Sequence, residues 1–150
     1  MSGLKPVTQW LDEYKDEVVD VPILRIPKEE LLELLKKNPE QVAAVDLRNE
    51  IEEKGVIKKA LHVPATVIDG AADVERGLLL VVLEQKPQAK QIVLFCNRSG
   101  LRPTYVGGWA KQHLEKTGLD VEVVILDGGI TDWVTGGVEF QDETVYYSGA

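Results

Sequence analysis

Three short, almost wholly apolar runs, Val42 to Leu47, Gln91 to Phe95 and Val121 to Leu126, punctuate the chain, with helix-like segments between them. A strand with one wet face alternates apolar and polar residues, whereas a strand buried on both faces reads as a continuous apolar run. Buried strands alternating with helices predict an α/β domain, with a mainly parallel central sheet flanked by helices on both faces. At 150 residues and 44% hydrophobic, the chain has the size of one domain with its own core. It contains no internal repeat and no low-complexity segment.

The segments divide as follows. Residues 1–21 are polar and acidic with scattered Trp10, Leu11, Tyr14 and Val18, which reads as an N-terminal extension, at most one helix docked on the body. The body spans residues 22–137, and the polar tail, 138–150, is expected to pack loosely or as an edge. Ile23 to Ile26 suits a short edge strand. Pro27 then opens a helix with Glu29 and Glu30 in its first turn and Lys36 and Lys37 in its last, placing Leu31, Leu34 and Leu35 on one face. Leu61 to Val63 suits a second short strand, and Ala71 to Gln85 a helix, with Ala71, Val74, Leu78, Val81 and Val82 spaced three or four apart. Pro103 to Lys116 is a further helix stopped by Gly118, with Gly107 and Gly108 marking close packing, and Ile130 to Val134 is a short one.

Composition narrows the function. A single cysteine excludes an internal disulfide framework and a Cys-rich zinc site, so no metal is expected, and it points to a reducing compartment, the cytoplasm. The stretch Met1 to Trp10 lacks a signal pattern, and the longest apolar run, Leu78 to Leu83, is far too short to span a bilayer. With 25 acidic against 17 basic residues the net charge is −8, which disfavours nucleic acid and anionic membrane as partners. An anionic substrate must therefore be captured by a local concentration of positive charge.

One segment is built to supply it. Gln91 to Pro103 reads strand, then loop, then helix, and the loop runs from Cys96 through Asn97, Arg98, Ser99, Gly100 and Leu101 to Arg102. A loop between a strand tip and a helix N-terminus can turn several backbone N–H groups inward, forming a nest whose partial positive charge adds to that of the helix dipole. Arg102 adds a planar, two-pronged clamp for an oxyanion, and Gly100 relaxes the backbone. The same field favours a thiolate at Cys96, the nucleophilic form of the side chain. Asp46 and Arg48, at another strand tip, are candidates for the rim of the pocket. His62 and His113 read as packing or surface residues rather than catalytic bases.

Four motifs in order carry a resemblance: Val45-Asp46-Leu47-Arg48, the segment from Gly55 to Pro64, the Cys96 loop, and Leu126-Asp127-Gly128-Gly129-Ile130-Thr131-Asp132-Trp133. Together they resemble the rhodanese superfamily over about residues 22–137. That resemblance implies a single rhodanese-like domain and one of three chemistries: sulfur transfer, dual-specificity phosphatase action of the cell-cycle type, or reduction of arsenate by the eukaryotic enzymes related to those phosphatases. Departures from the family pattern fall at Val56, where a histidine is usual, at Lys59, where a glycine is usual, and at Pro103.

Loop length separates the branches. Five residues stand between Cys96 and Arg102, as in the arsenate reductases and phosphatases, while the sulfurtransferases of the family have a shorter loop sized for a persulfide. The wording Ser99-Gly100-Leu101-Arg102 is nevertheless similar to that of single-domain sulfurtransferases. The resemblance thus implies a cysteine-dependent enzyme acting on a small oxyanion or phosphorylated substrate, with no bound cofactor. An external thiol, glutathione or a glutaredoxin, would serve as reductant if arsenate is the substrate. The alternatives are a thiosulfate sulfurtransferase forming a Cys96 persulfide and a noncatalytic binding module, the latter disfavoured by retention of Cys96 and Arg102. A phosphatase also needs a general acid. The loop contains none, leaving Asp46 or Asp127 as candidates.

Overall fold

The computed structural model describes residues 4–50 and 55–146; residues 1–3 and 147–150, the outermost parts of the predicted extension and tail, and 51–54 lie outside them. The predicted buried runs become the central strands of a five-stranded, wholly parallel sheet. These are β2 (Val42–Asp46), β5 (Gln91–Phe95) and β6 (Glu122–Leu126), with β1 (Arg25–Ile26) and β4 (Leu61–His62) at the edges in the order β1-β6-β5-β2-β4. Every C-terminal strand tip therefore faces one edge, where α/β proteins build their sites.

The period of two along each strand sorts side chains between two cores. From β2 and β5, Ala43, Val45, Ile92 and Leu94 enter one core, and Val42, Ala44, Val93 and Phe95 enter the other. Cys96 continues the first set, so strand register alone sends it to the face covered by the long helix α4 (Leu101–Thr117). The second face is covered by α2 (Lys28–Lys37) and the short helices α5 (Gly129–Val134) and α6 (Val138–Gln141). In α2 the fully covered leucines are Leu31 and Leu32, with Leu34 and Leu35 only partly buried, a rotation of the predicted apolar face.

The N-terminal segment is part of the body. In α1 (Val7–Tyr14), Trp10 is wholly buried and donates from Nε1 to the Ile68 carbonyl at 2.8 Å. Its ring stacks in tilted or edge-on fashion with Tyr14, Tyr105 and Trp109. Tyr105 Oη donates to the Leu11 carbonyl at 3.2 Å, and Trp109 Nε1 to the Glu17 carbonyl at 2.9 Å. The chain then crosses α4 closely: a Cβ on Gly107 would come within 2.9 Å of Ile23 Cδ1, and one on Gly108 within 3.2 Å of the Val19 carbonyl. On the outer face of α1, a hydrogen bond from Lys5 and a second from Gln9 hold the Glu13 carboxyl below its usual range.

One other expectation changes. The predicted helix over residues 71–85 is a 3-10 turn (Ala71–Asp73), a wide π turn (Glu75–Leu79) and then α3 (Leu80–Gln85). The widened turn inserts a residue into the helical period, and Val74, Leu78, Leu79 and Val82 still reach the core. The described part of the tail takes the edge arrangement, one of the two expected for it: β7 (Thr144–Val145) pairs antiparallel with β3 (Val56–Ile57). Thr144 Oγ1 accepts from Trp133 Nε1 at 3.0 Å and donates to the Phe140 carbonyl at 2.7 Å. Among the described residues, no helix is long and apolar enough to cross a membrane.

Candidate active site

The loop after β5 runs into α4, which begins at Leu101 with Gly100 as its N-cap residue. The helix therefore starts two residues earlier than predicted. Arg102 belongs to its first turn, and Pro103, the third helical residue, still occupies a position where a backbone N–H has no intrahelical acceptor.

The loop's carbonyls are turned away from the cavity and held. Cys96 O and Asn97 O each accept, at 3.0 Å, from the N–H groups of Ile130 and Thr131, at the start of α5. Ser99 O accepts from Arg25 Nη2 at 2.6 Å, and Gly100 O from Thr104 Oγ1 at 2.9 Å. A trans peptide places its C=O and the following N–H on opposite sides, and no peptide in the described chain is cis. Anchoring those four carbonyls therefore aims the N–H groups of Asn97, Arg98, Gly100 and Leu101 the other way, at the cradle, where the dipole of α4 adds to them. The left-handed residue is Ser99, with φ of 54°; Gly100 has φ of −88° and open space around its Cβ position. The conformational demand assigned to Gly100 falls on its neighbour.

An open cavity of about 450 Å³ lies over this loop, lined by Cys96, Asn97, Arg98, Gly100, Leu101 and Arg102 together with Val7 and Leu11 of α1. Cys96 is 4% exposed, at the floor. Among the described residues, the guanidinium groups of Arg98 and Arg102 have no carboxylate or carbonyl partner, so both remain available to an anion. Ser99 differs from the expected pattern: its side chain is fully buried, does not line the cavity, and its Oγ has no hydrogen-bond partner.

Asp46 and Arg48 are not rim residues. Their side chains are each 1% exposed and paired with each other, with Nη2 to Oδ2 at 2.7 Å and Nε to Oδ1 at 3.0 Å. Arg48 also donates to the Gly55 carbonyl at 2.8 Å. Leu47 and Arg48 continue the β2 burial past the strand tip, which draws the pair beneath the sheet edge. Asp127, the other candidate acid, forms an ion pair with Arg25 at 2.9 Å. Among the described residues no carboxylate lines the cavity. His62 Nε2 lies 2.6 Å from the Arg48 carbonyl and His113 pairs with Glu75 at 2.7 Å, both away from the cavity.

Four contributors are not apparent from the sequence reading. Arg25 bridges Asp127 and Ser99 O, joining the β1 and β6 tips to the loop, and nothing local in the sequence distinguishes it. Val7 and Leu11 come from the extension, in which the sequence reading notes Leu11 among scattered apolar residues and does not single out Val7. Gly129, named above only within a motif that carries the resemblance, has φ of 60°, and a Cβ there would stand 2.5 Å from Cys96 O and 2.6 Å from Asn97 O. Gly129→Ala should push the loop off its anchor. The expected result is a loss of up to about 10²-fold in any Cys96-dependent turnover, measured as kcat/KM with circular dichroism confirming the fold.

A second cavity, about 460 Å³, lies at the opposite sheet edge against Leu24, Lys111, Leu119 and Val121; among the described residues no cysteine, serine or threonine lines it.

A cysteine just past a strand tip, a loop with four anchored carbonyls and, beside a helix N-terminus, two arginines without ion-pair partners among the described residues characterise a thiol-bearing α/β domain. Residues 27–135 match the family model for the Rhodanese-like domain, and the chain belongs to that family. Among solved structures it is similar to the As–Sb reductase of Leishmania major, with 24% identity, coverage of 85% of this chain and 88% of the other, and a TM-score of 0.66. It is also similar to yeast Ygr203w, described as a protein tyrosine phosphatase of the Rhodanese family, with 18% identity, coverage of 77% and 88%, and a TM-score of 0.62. A Rhodopseudomonas palustris protein described as a possible tyrosine phosphatase follows, at 23% identity, 89% and 93% coverage and a TM-score of 0.51. At these identities the likeness is one of fold. Comparison with curated protein sequences finds no significant match.

Proposed function

We propose that the protein is a cysteine-dependent, oxyanion-processing enzyme of the arsenate reductase or phosphatase type. The observation that carries this reading is the cradle: Cys96 at the floor, inward amides, and the unpaired Arg98 and Arg102 around a loop with five residues between Cys96 and Arg102. A tetrahedral oxyanion is held by the amides and by the Arg102 fork, with Arg98 at the rim, while the Cys96 thiolate attacks its central atom.

With arsenate, Cys96 Sγ bonds to arsenic and one oxygen leaves as water after protonation. Glutathione then attacks Sγ, the S–As electron pair reduces As(V) to As(III), and arsenite departs, leaving a Cys96–glutathione disulfide. A second thiol, from glutathione or a glutaredoxin, restores Cys96, so two external thiols are oxidised per arsenate; a reducing cytoplasm supplies them. With a phosphomonoester, Sγ displaces the alcohol or phenol oxygen with its electron pair, and water then cleaves the S–P bond. The absence of a carboxylate among the described cavity residues favours leaving groups that need little protonation.

Arsenate reduction with glutathione and glutaredoxin, hydrolysis of an activated aryl phosphate, and sulfur transfer from thiosulfate to cyanide should be assayed side by side, with Cys96→Ser as the blank. The expected result is that one of the first two exceeds the third. A Cys96-dependent signal with cyanide alone would instead establish a sulfurtransferase, and the loop-length argument would fail.

A further inference from the structure

The cavity has two chemically opposite sides. Its floor is cationic and rich in donors, yet one wall is apolar: Val7 and Leu11 of α1, continued by Leu101, which is 58% exposed. An inorganic oxyanion has no use for such a wall, and the cavity, at about 450 Å³, is several times larger than one tetrahedral oxyanion. The wall is also held firmly. Trp10, between Val7 and Leu11, is wholly buried and hydrogen-bonded to the Ile68 carbonyl, Tyr105 ties down the Leu11 carbonyl, and Asn49 Nδ2 donates to the Lys5 carbonyl at 2.9 Å. The family match begins at residue 27, so this side of the site comes from outside it.

We infer that α1 is the specificity wall of the site: Val7 and Leu11 seat a compact apolar substituent, such as an aryl ring, so that the preferred ligand is an organic oxyanion rather than an inorganic one. The inference rests on the oxyanion cradle proposed above. It requires no covalent step, because the wall discriminates at binding. The substituent lies against Val7, Leu11 and Leu101, while the charged head reaches the loop amides and Arg102.

Calorimetric titration of the intact protein with inorganic phosphate and with phenylphosphonate, which share a charged head and differ in the ring, tests it without relying on any reaction. Phenylphosphonate should bind about tenfold more tightly, the factor expected for covering roughly 55 Å² of apolar surface. In Val7→Ser and Leu11→Ser the ratio of the two dissociation constants should fall toward one. Because each variant serves as its own reference, a modest loss of stability does not alter the reading, and Val7→Ser, at the first position of α1, carries the test if Leu11→Ser fails to fold. Equal affinities in the unaltered protein, or a tenfold ratio that survives Val7→Ser, would overturn the wall and leave the cradle standing. Binding of neither ligand would overturn the cradle and the wall with it.

Discussion

Asp46→Ala should cost the fold about 3–5 kcal/mol, because it strands a buried guanidinium without its counter-charge. The Arg48 side chain is 1% exposed, and Asp46 receives its Nε and Nη2 as well as the Arg48 backbone N–H at 3.1 Å. Removing the carboxylate leaves only the Gly55 carbonyl for Arg48 among the described residues. For a domain of this size the loss corresponds to a melting temperature lower by about 10 °C. Replacing both members by apolar residues of similar volume should recover much of it, since a buried pair contributes little net stability beyond its own desolvation cost. A well-folded Asp46→Ala protein with altered KM and unchanged melting would show that the pair serves substrate binding after all.

Arg102→Lys should lower kcat/KM roughly 10²–10³-fold although the charge is retained, the range seen when one donor to a developing oxyanion is removed. The argument is geometric. A guanidinium offers two parallel donors in a fixed plane, whereas an ammonium is a point charge on a flexible stem. Arg102 sits in the first turn of α4 and lines the same cavity as Cys96, with its guanidinium unpaired among the described residues, so the proposed clamp depends on the fork geometry that only arginine supplies. Arg98, exposed at the loop's outer side, should tolerate the same replacement with less than about tenfold loss, as exposed charge contacts contribute little. Equal activity in Arg102→Lys and in the unaltered enzyme would remove the clamp from the mechanism. Circular dichroism on each variant separates this from unfolding.

Much of this molecule is legible locally. The apolar runs over Val42–Leu47, Gln91–Phe95 and Val121–Leu126 identify buried parallel strands because burial on both faces leaves no polar alternation. The placement of Cys96 directly after one of them, before a helix start, locates the cradle for the same reason: strand tips and helix N-termini are set by short-range chain geometry. Those signals survive in a linear sequence because each depends on residues a few positions apart.

Tertiary structure alone decided the rest. Arg25 reaches the loop carbonyl of Ser99 across 74 positions, and Trp10 anchors to Ile68 across 58; neither pairing leaves a periodic trace, because the partner is chosen by how the layers close. Asp46 and Arg48 read as candidates for a pocket rim from the sequence and prove to be buried, since they pair with each other under cover of the fold. The scattered Trp10, Leu11, Tyr14 and Val18 suggest a docked helix without saying what it docks beside. The packing of Trp10 among Tyr14, Tyr105 and Trp109 fixes that helix where Val7 and Leu11 line the same cavity as Cys96. Sequence determined the Cys96 loop through local geometry, whereas long-range packing, which is optimised over the whole core at once, determined what stands around it.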